Sequence, residues 1–121
     1  MRKLLTFLAL PLALASCEYE SLETKYPEAV ATCDTAGMDW AKARQILEDN
    51  SCISCHGASS PSADVALDSY AQARFHLVEG RAMGAIRQLD GYSPMPQGQP
   101  PIDSCSIARL QAWIDQGAPE E

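Results

Sequence analysis

Positive charge, histidine and long apolar runs are all scarce in this 121-residue chain, and each scarcity removes a class of function. Nine Lys and Arg stand against sixteen Asp and Glu, a balance that argues against nucleic acid as a partner, because phosphate recognition is built from basic patches. The longest apolar run, Leu4 to Ala15, is too short to remain in a bilayer as a permanent helix. Histidine occurs twice, at His56 and His76, and there is no second CxxC and no HxxxH. A structural zinc site would want four Cys/His ligands, usually as two close pairs. No internal repeat is visible, and no set of side chains reads as the acid, base or nucleophile of an enzyme.

What is present is Cys52-Ile53-Ser54-Cys55-His56, a CxxCH pentapeptide and the attachment signature of a c-type haem. The two thiols, spaced by two residues, can each form a thioether to a haem vinyl group, and the adjacent histidine then falls under the iron as proximal ligand. A covalent haem c, one per chain, would also give a short chain a large apolar plate to pack around. Two other readings stay open at this point, a redox dithiol and an adventitious metal site. A thioredoxin-like dithiol would follow a buried strand, whereas Trp40 to Asn50 reads as a helix.

Residues 1–16 read as an export signal, with Arg2 and Lys3 ahead of the apolar run. Leu14-Ala15-Ser16-Cys17 is similar to the bacterial lipobox, in which the cysteine is acylated and becomes the mature first residue; the alternative is an ordinary signal peptide with an incidental cysteine. Several acyl chains on Cys17 would anchor the chain firmly to a membrane it does not cross. The expected location is the bacterial cell envelope, with the domain in the periplasm or at the surface. Glu18, in place of the aspartate associated with inner-membrane retention, leans towards the outer membrane. Residues 17–32 read as a flexible tether with an end-to-end distance of about 20 Å, of which Tyr26 and Val30 could pack on the domain.

Without residues 1–16 the chain keeps 105 residues, one domain, and seven basic against sixteen acidic side chains, a net charge of −9. Such a field would steer a redox partner carrying a basic patch, or it serves solubility alone. With Cys17 assigned to lipid and Cys52 and Cys55 to haem, Cys33 and Cys105 remain. In an oxidising compartment two spare cysteines are expected to pair; the alternative is two free buried thiols. A bridge across 72 residues is worth roughly 4 kcal/mol on the chain-entropy model.

Asp39 can cap a helix running to about Asp49, with Trp40, Ala43 and Leu47 on one face and Ile46 widening it. After the CxxCH turn and Gly57, residues 58–64 form a surface loop by composition. Asp68 is a second cap candidate, opening a helix from Ser69 to Glu79 that Gly80 ends. His76 within it reads as a partly exposed surface histidine rather than an iron ligand. A third helix is expected from Ala82 to Leu89, with Ala82, Ile86 and Leu89 on one face and Gly91 as its stop; Met83 reads as core. In Tyr92-Ser93-Pro94-Met95-Pro96-Gln97-Gly98-Gln99-Pro100-Pro101, the prolines beside Met95 stiffen the backbone so that its thioether can be held at a defined distance from iron. The competing reading is a methionine that fills a gap against the haem without bonding; Met38 is a weaker ligand candidate. In the last segment Asp103 can cap, Ile102 and Ile107 can form a hydrophobic staple, and Ile107, Leu110 and Ile114 make a stripe beside Trp113. Gly117 and Pro119 then end that helix, which is expected to pack on the Trp40–Leu47 face.

Taken in order, these features resemble the class I cytochrome c superfamily, and most closely small bacterial lipoprotein cytochromes and the planctomycete-type cytochrome c domain. The likeness covers about residues 33–119. It rests on CxxCH followed by Leu67-Asp68-Ser69-Tyr70, by the pair Met95-Pro96 and by Trp113-Ile114-Asp115-Gln116-Gly117-Ala118. The resemblance implies an all-α domain over residues 33–121, of about four short helices around a covalent haem, with its first and last helices packed together. It implies thioethers at Cys52 and Cys55, proximal ligation by His56 and distal ligation by Met95; Cys33 and Cys105 match a cysteine pair in some members. Two departures stand out. The spacing of 39 positions from His56 to Met95 is short for the superfamily, which implies trimmed loops and a more exposed porphyrin. Ser106 replaces the Glu often found three residues after the cap, which weakens the capping box.

The function implied is single-electron transfer between periplasmic or membrane redox partners, with the redox chemistry supplied by the haem. The alternative is a ligand-binding or peroxidatic haem protein from whose iron Met95 dissociates. A thiol-disulfide or metal-binding module without haem is a third possibility.

Overall fold

The computed structural model describes residues 33–121; the export signal expected over residues 1–16, the lipid anchor expected at Cys17 and the tether expected over residues 17–32 lie outside the described residues. Within them the chain is all-α, with no strand. Five short helices follow one another: α1 (Trp40–Asp49), α2 (Cys52–His56), α3 (Tyr70–Arg74), α4 (Ala82–Ile86) and α5 (Ser104–Asp115). A 3-10 turn spans Ser62–Asp64, and α3 widens directly into a π turn over Phe75–Glu79.

The two longest helices are the ones with explicit caps. Asp39 accepts from the Lys42 N–H at 2.9 Å and Asp103 from the Ser106 N–H at 2.9 Å, each satisfying an orphan donor of the first turn. At the far end of α5 the Ala118 N–H reaches the Trp113 carbonyl at 2.8 Å and the Gly117 N–H the Ile114 carbonyl at 2.9 Å. That Schellman closure places Gly117 at φ +91°, a region where glycine carries no Cβ penalty.

The apolar faces of α1 and α5 meet. Ala43, Ile46 and Leu47 of the first pack with Leu110 and Trp113 of the second, and Met38, Leu67, Ala73, Leu77, Ile86 and Ala118 complete the core. On α5 the fully buried residues are Leu110 and Trp113, while Ile107 and Ile114 are only partly covered. The face is thus rotated from the expected stripe towards the indole. Trp40, Tyr70 and Trp113 form an aromatic triangle with ring centroids 6.0–6.5 Å apart, within the range for favourable offset and edge contacts. Its polar edges are satisfied by the C-terminal turn: the Tyr70 hydroxyl donates to the Ala118 carbonyl and the Trp113 Nε1–H to the Pro119 carbonyl, both at 2.9 Å.

Several local expectations are corrected. Ser69, not Asp68, precedes the first turn of α3; the Asp68 carboxylate instead accepts from the Ala58 N–H at 3.0 Å and ties down the loop after CxxCH. The helix from Ala82 stops at Ile86 rather than Leu89. Gln88 turns to φ +52°, and a second Schellman closure forms, with the Leu89 N–H on the Gly84 carbonyl and the Gln88 N–H on the Ala85 carbonyl, both at 3.0 Å. Leu89 therefore swings off the core face and is 49% exposed. Near the amino end of the described chain, the Cys33 and Cys105 sulfurs lie at bonding distance, with Cα atoms 5.5 Å apart, joining the segment before α1 to the first turn of α5.

Candidate functional site

Between α1 and α2 the chain turns through two residues, Asn50 and Ser51. The Asn50 side chain donates to the Ile46 carbonyl at 2.9 Å, closing α1, and Ser51 takes φ +58°. The Ser54 hydroxyl and N–H both return to the Ser51 carbonyl, which forces the pentapeptide into a helical turn. In a turn of helix, positions i, i+3 and i+4 share a face. Cys52, Cys55 and His56 hold those positions, so one side of α2 presents both thiols and the imidazole together. Ile53 packs against the core from the other side.

That side opens on a cavity of about 760 Å³, lined by Cys52, Cys55, His56 and Met95 among others, a volume in the range of cofactor sites. Buried aliphatic side chains of four other segments, Ile46, Leu47, Leu67, Ile86 and Leu110, form its apolar lining. Every residue expected to attach or ligate haem thus reaches one space. Met95 is held there through the backbone: its N–H donates to the Ala85 carbonyl of α4 at 3.0 Å, and the Gln88 amide donates to the Gln99 carbonyl at 3.0 Å and the Met95 carbonyl at 3.4 Å. Met83 packs against the core and Met38 is buried within it, as expected of non-ligands.

His56 is fixed at two points. Its N–H side of the ring, Nδ1, lies 2.8 Å from the Val65 carbonyl, and its own carbonyl accepts from the Leu67 N–H at 2.7 Å. A carbonyl can only accept, so Nδ1 carries a proton, and in the neutral ring Nε2 keeps its lone pair. This is the arrangement that orients a histidine for metal ligation.

The thiols are inequivalent. Cys55 is exposed and Cys52 partly buried, and burial pushes the Cys52 thiol above the ordinary range. A nucleophilic redox dithiol needs the opposite shift, and no strand precedes the motif among the described residues. No cluster of three or more His, Cys, Asp or Glu that could hold a metal ion occurs among them either, which leaves the adventitious metal site without further ligands of those types.

Charge around the cavity is one-sided. Among the described residues, which hold twelve acidic side chains, none lines it, while Arg81 does. The Arg81 guanidinium lies 4.3 Å from the centroid of the Tyr92 ring and donates to the Gly91 carbonyl. Gly84 makes room for that ring, since a Cβ at position 84 would overlap Tyr92 Cδ1, Cε1 and Cζ. His76 is partly exposed, as expected, and also borders the cavity. Sequence reasoning gave Arg81 and Tyr92 no role at the site: they flank the short helix α4, and only the fold brings them to the cavity, with Gly84 leaving space for the Tyr92 ring.

Comparison with protein-family models, with curated proteins and with solved structures returns no match.

Proposed function

We propose that this chain is a c-type cytochrome-like electron carrier: a single haem attached through Cys52 and Cys55, ligated by His56 and Met95, passing one electron at a time between redox partners. The observation that carries the reading is the shared cavity, in which two thiols, an imidazole with a free Nε2 and a thioether converge on an apolar space from a helix and a loop that are far apart in sequence.

The residues present suit that group. Cys52 and Cys55 supply thiols on one face of α2 for two thioether bonds. His56, with Nδ1 engaged, offers Nε2 to the metal, and Met95 offers a soft sulfur that raises the potential relative to two nitrogen ligands. The aliphatic lining would shield the ring from water, and Arg81, in a lining without acidic side chains among the described residues, would offset the two carboxylates that haem carries. Bound there, the haem supplies reversible one-electron chemistry; the protein contributes ligation, burial and a surface for docking. With two protein ligands on the metal, the site would favour transfer of electrons over binding of a substrate at the iron.

The test is the absorption spectrum and mass of protein made in a host competent in haem ligation. Expected are one covalent haem per chain, a low-spin spectrum with the iron–sulfur charge-transfer band in the ferric state, and loss of that band in Met95→Ala. A chain carrying no covalent haem refutes attachment. High-spin wild-type protein that binds carbon monoxide readily refutes methionine ligation and leaves the ligand-binding alternative.

A further inference from the structure

Three large apolar side chains are exposed among the described residues, and all belong to the stretch 75–89: Phe75 at 56%, Val78 at 37% and Leu89 at 49%. Phe75 and Val78 both lie in the π turn that continues α3. Val78 and Leu89 line a common cleft of about 260 Å³ with Met83, Arg87 and Ile114. The charge of this stretch is as unusual as its apolarity. From Arg74 to Leu89 there are three arginines, Arg74, Arg81 and Arg87, against the single acid Glu79, whose carboxylate lies 3.7 Å from Arg74. The rest of residues 33–121 holds three basic and eleven acidic side chains, Asp90 among them.

Exposed aliphatic and phenyl groups beside arginines match the boundary between acyl chains and anionic headgroups. The chain's own length points to the same occupant. From Cys17 to Cys33 the backbone reaches about 50 Å when extended, against a diameter of roughly 30 Å for a domain of this size, so an anchor at Cys17 leaves every face free to meet the membrane. Tethering also raises the effective concentration to the millimolar range, where a weak contact is populated.

We propose that the exposed stretch 75–89, with Phe75, Val78 and Leu89 beside Arg74 and Arg87, docks on an anionic lipid bilayer. The proposal rests on the reading of Cys17 as a lipid anchor and is independent of the haem. Tyr92 lines both this cleft and the large cavity, so docking sets the haem site beside the bilayer surface.

The experiment is hydrogen exchange of the full chain on vesicles of phosphatidylcholine with and without phosphatidylglycerol. Amides of residues 75–89 are expected to exchange about fivefold more slowly on the anionic vesicles, the factor 1 + [L]/Kd for a millimolar effective concentration over a Kd a few-fold lower. Added salt should remove the difference. In Val78→Ser/Leu89→Ser and in Arg87→Gln the slowing should disappear while α1 and α5 keep their protection, which controls for folding. Equal exchange on both vesicles, slowing confined to another face, or slowing that appears only when an acidic protein is added overturns the proposal. The mass of Cys17 reports the anchor separately. An unacylated chain whose 75–89 segment is still protected by added anionic vesicles supports the docking face while refuting the anchor.

Discussion

Gly84→Ala is a substitution whose sign depends on one neighbour. Within a helix, alanine is favoured over glycine by about 0.8–1.0 kcal/mol, so at an open position in α4 the change would stabilise the protein. Position 84 is not open: the new methyl would overlap three atoms along one edge of the Tyr92 ring. The ring cannot slide away freely, because Arg81 is stacked on it and the Tyr92 N–H is bonded to the Leu89 carbonyl at 3.2 Å. Overpacking of this kind costs about 1–3 kcal/mol, so Gly84→Ala is expected to destabilise the protein by up to about 2 kcal/mol in spite of the propensity gain. In a Tyr92→Ala background the obstacle is gone, and the same substitution should stabilise by about 1 kcal/mol. The coupling energy of the double-mutant cycle is then the overlap itself, about 1–3 kcal/mol. Urea unfolding of the four proteins measures it through the midpoint, provided the slope is unchanged. Stabilisation by Gly84→Ala with Tyr92 in place, or a coupling below about 0.5 kcal/mol, would refute this account of how α4 and the Met95 loop are fitted together.

Three further outcomes are expected. Hydrogen bonding from Ser106, its side chain first and its backbone N–H second, holds the Asp103 carboxyl below its usual value of 3.8. The cap's stabilisation is therefore complete above about pH 4 and lost as pH falls through the lower folded-state value. Asp103→Asn keeps the cap and removes that acid dependence, whereas Asp103→Ala costs about 1 kcal/mol at neutral pH by urea titration; an identical acid limb in Asp103→Asn would contradict the assignment. Replacing Cys33 and Cys105 together by serine opens a loop of 72 residues and should lower stability by about 4 kcal/mol, with peptide mapping under non-reducing conditions showing the linked pair in the parent. In haem-free protein, iodoacetamide should modify Cys55 before Cys52, because Cys55 is exposed and burial keeps the Cys52 thiol protonated; faster modification of Cys52 would revive the redox-dithiol reading.

How legible the chain was depended on how local the interactions are. The ends of α1 and α5 are set by side chains three residues away and by a glycine at φ +91°, so their caps could be read directly. Asp68 misled because an aspartate ahead of a helix looks the same whether it bonds its own first turn or, as here, the N–H of Ala58 ten residues back. Leu89 misled for a related reason. The apolar period continues past Ile86, but the backbone does not, since Gln88 accepts a left-handed turn that the sequence pattern does not mark. His76 is partly exposed as its mixed neighbours suggest, but that it borders the cavity could not be read locally, because the cavity is made by segments distant from it.

By itself the sequence determined the helical class, the two main caps and the CxxCH turn that places two thiols and an imidazole on one face, because each follows from residues within one or two turns of each other. Only the tertiary structure decided that Met95 shares a cavity with that face, that no acidic side chain among the described residues lines it, and that Tyr70 closes on the turn after Trp113. Those relations join residues 39 and 48 positions apart, and their geometry is set by how apolar faces pack and close loops, which no local pattern encodes.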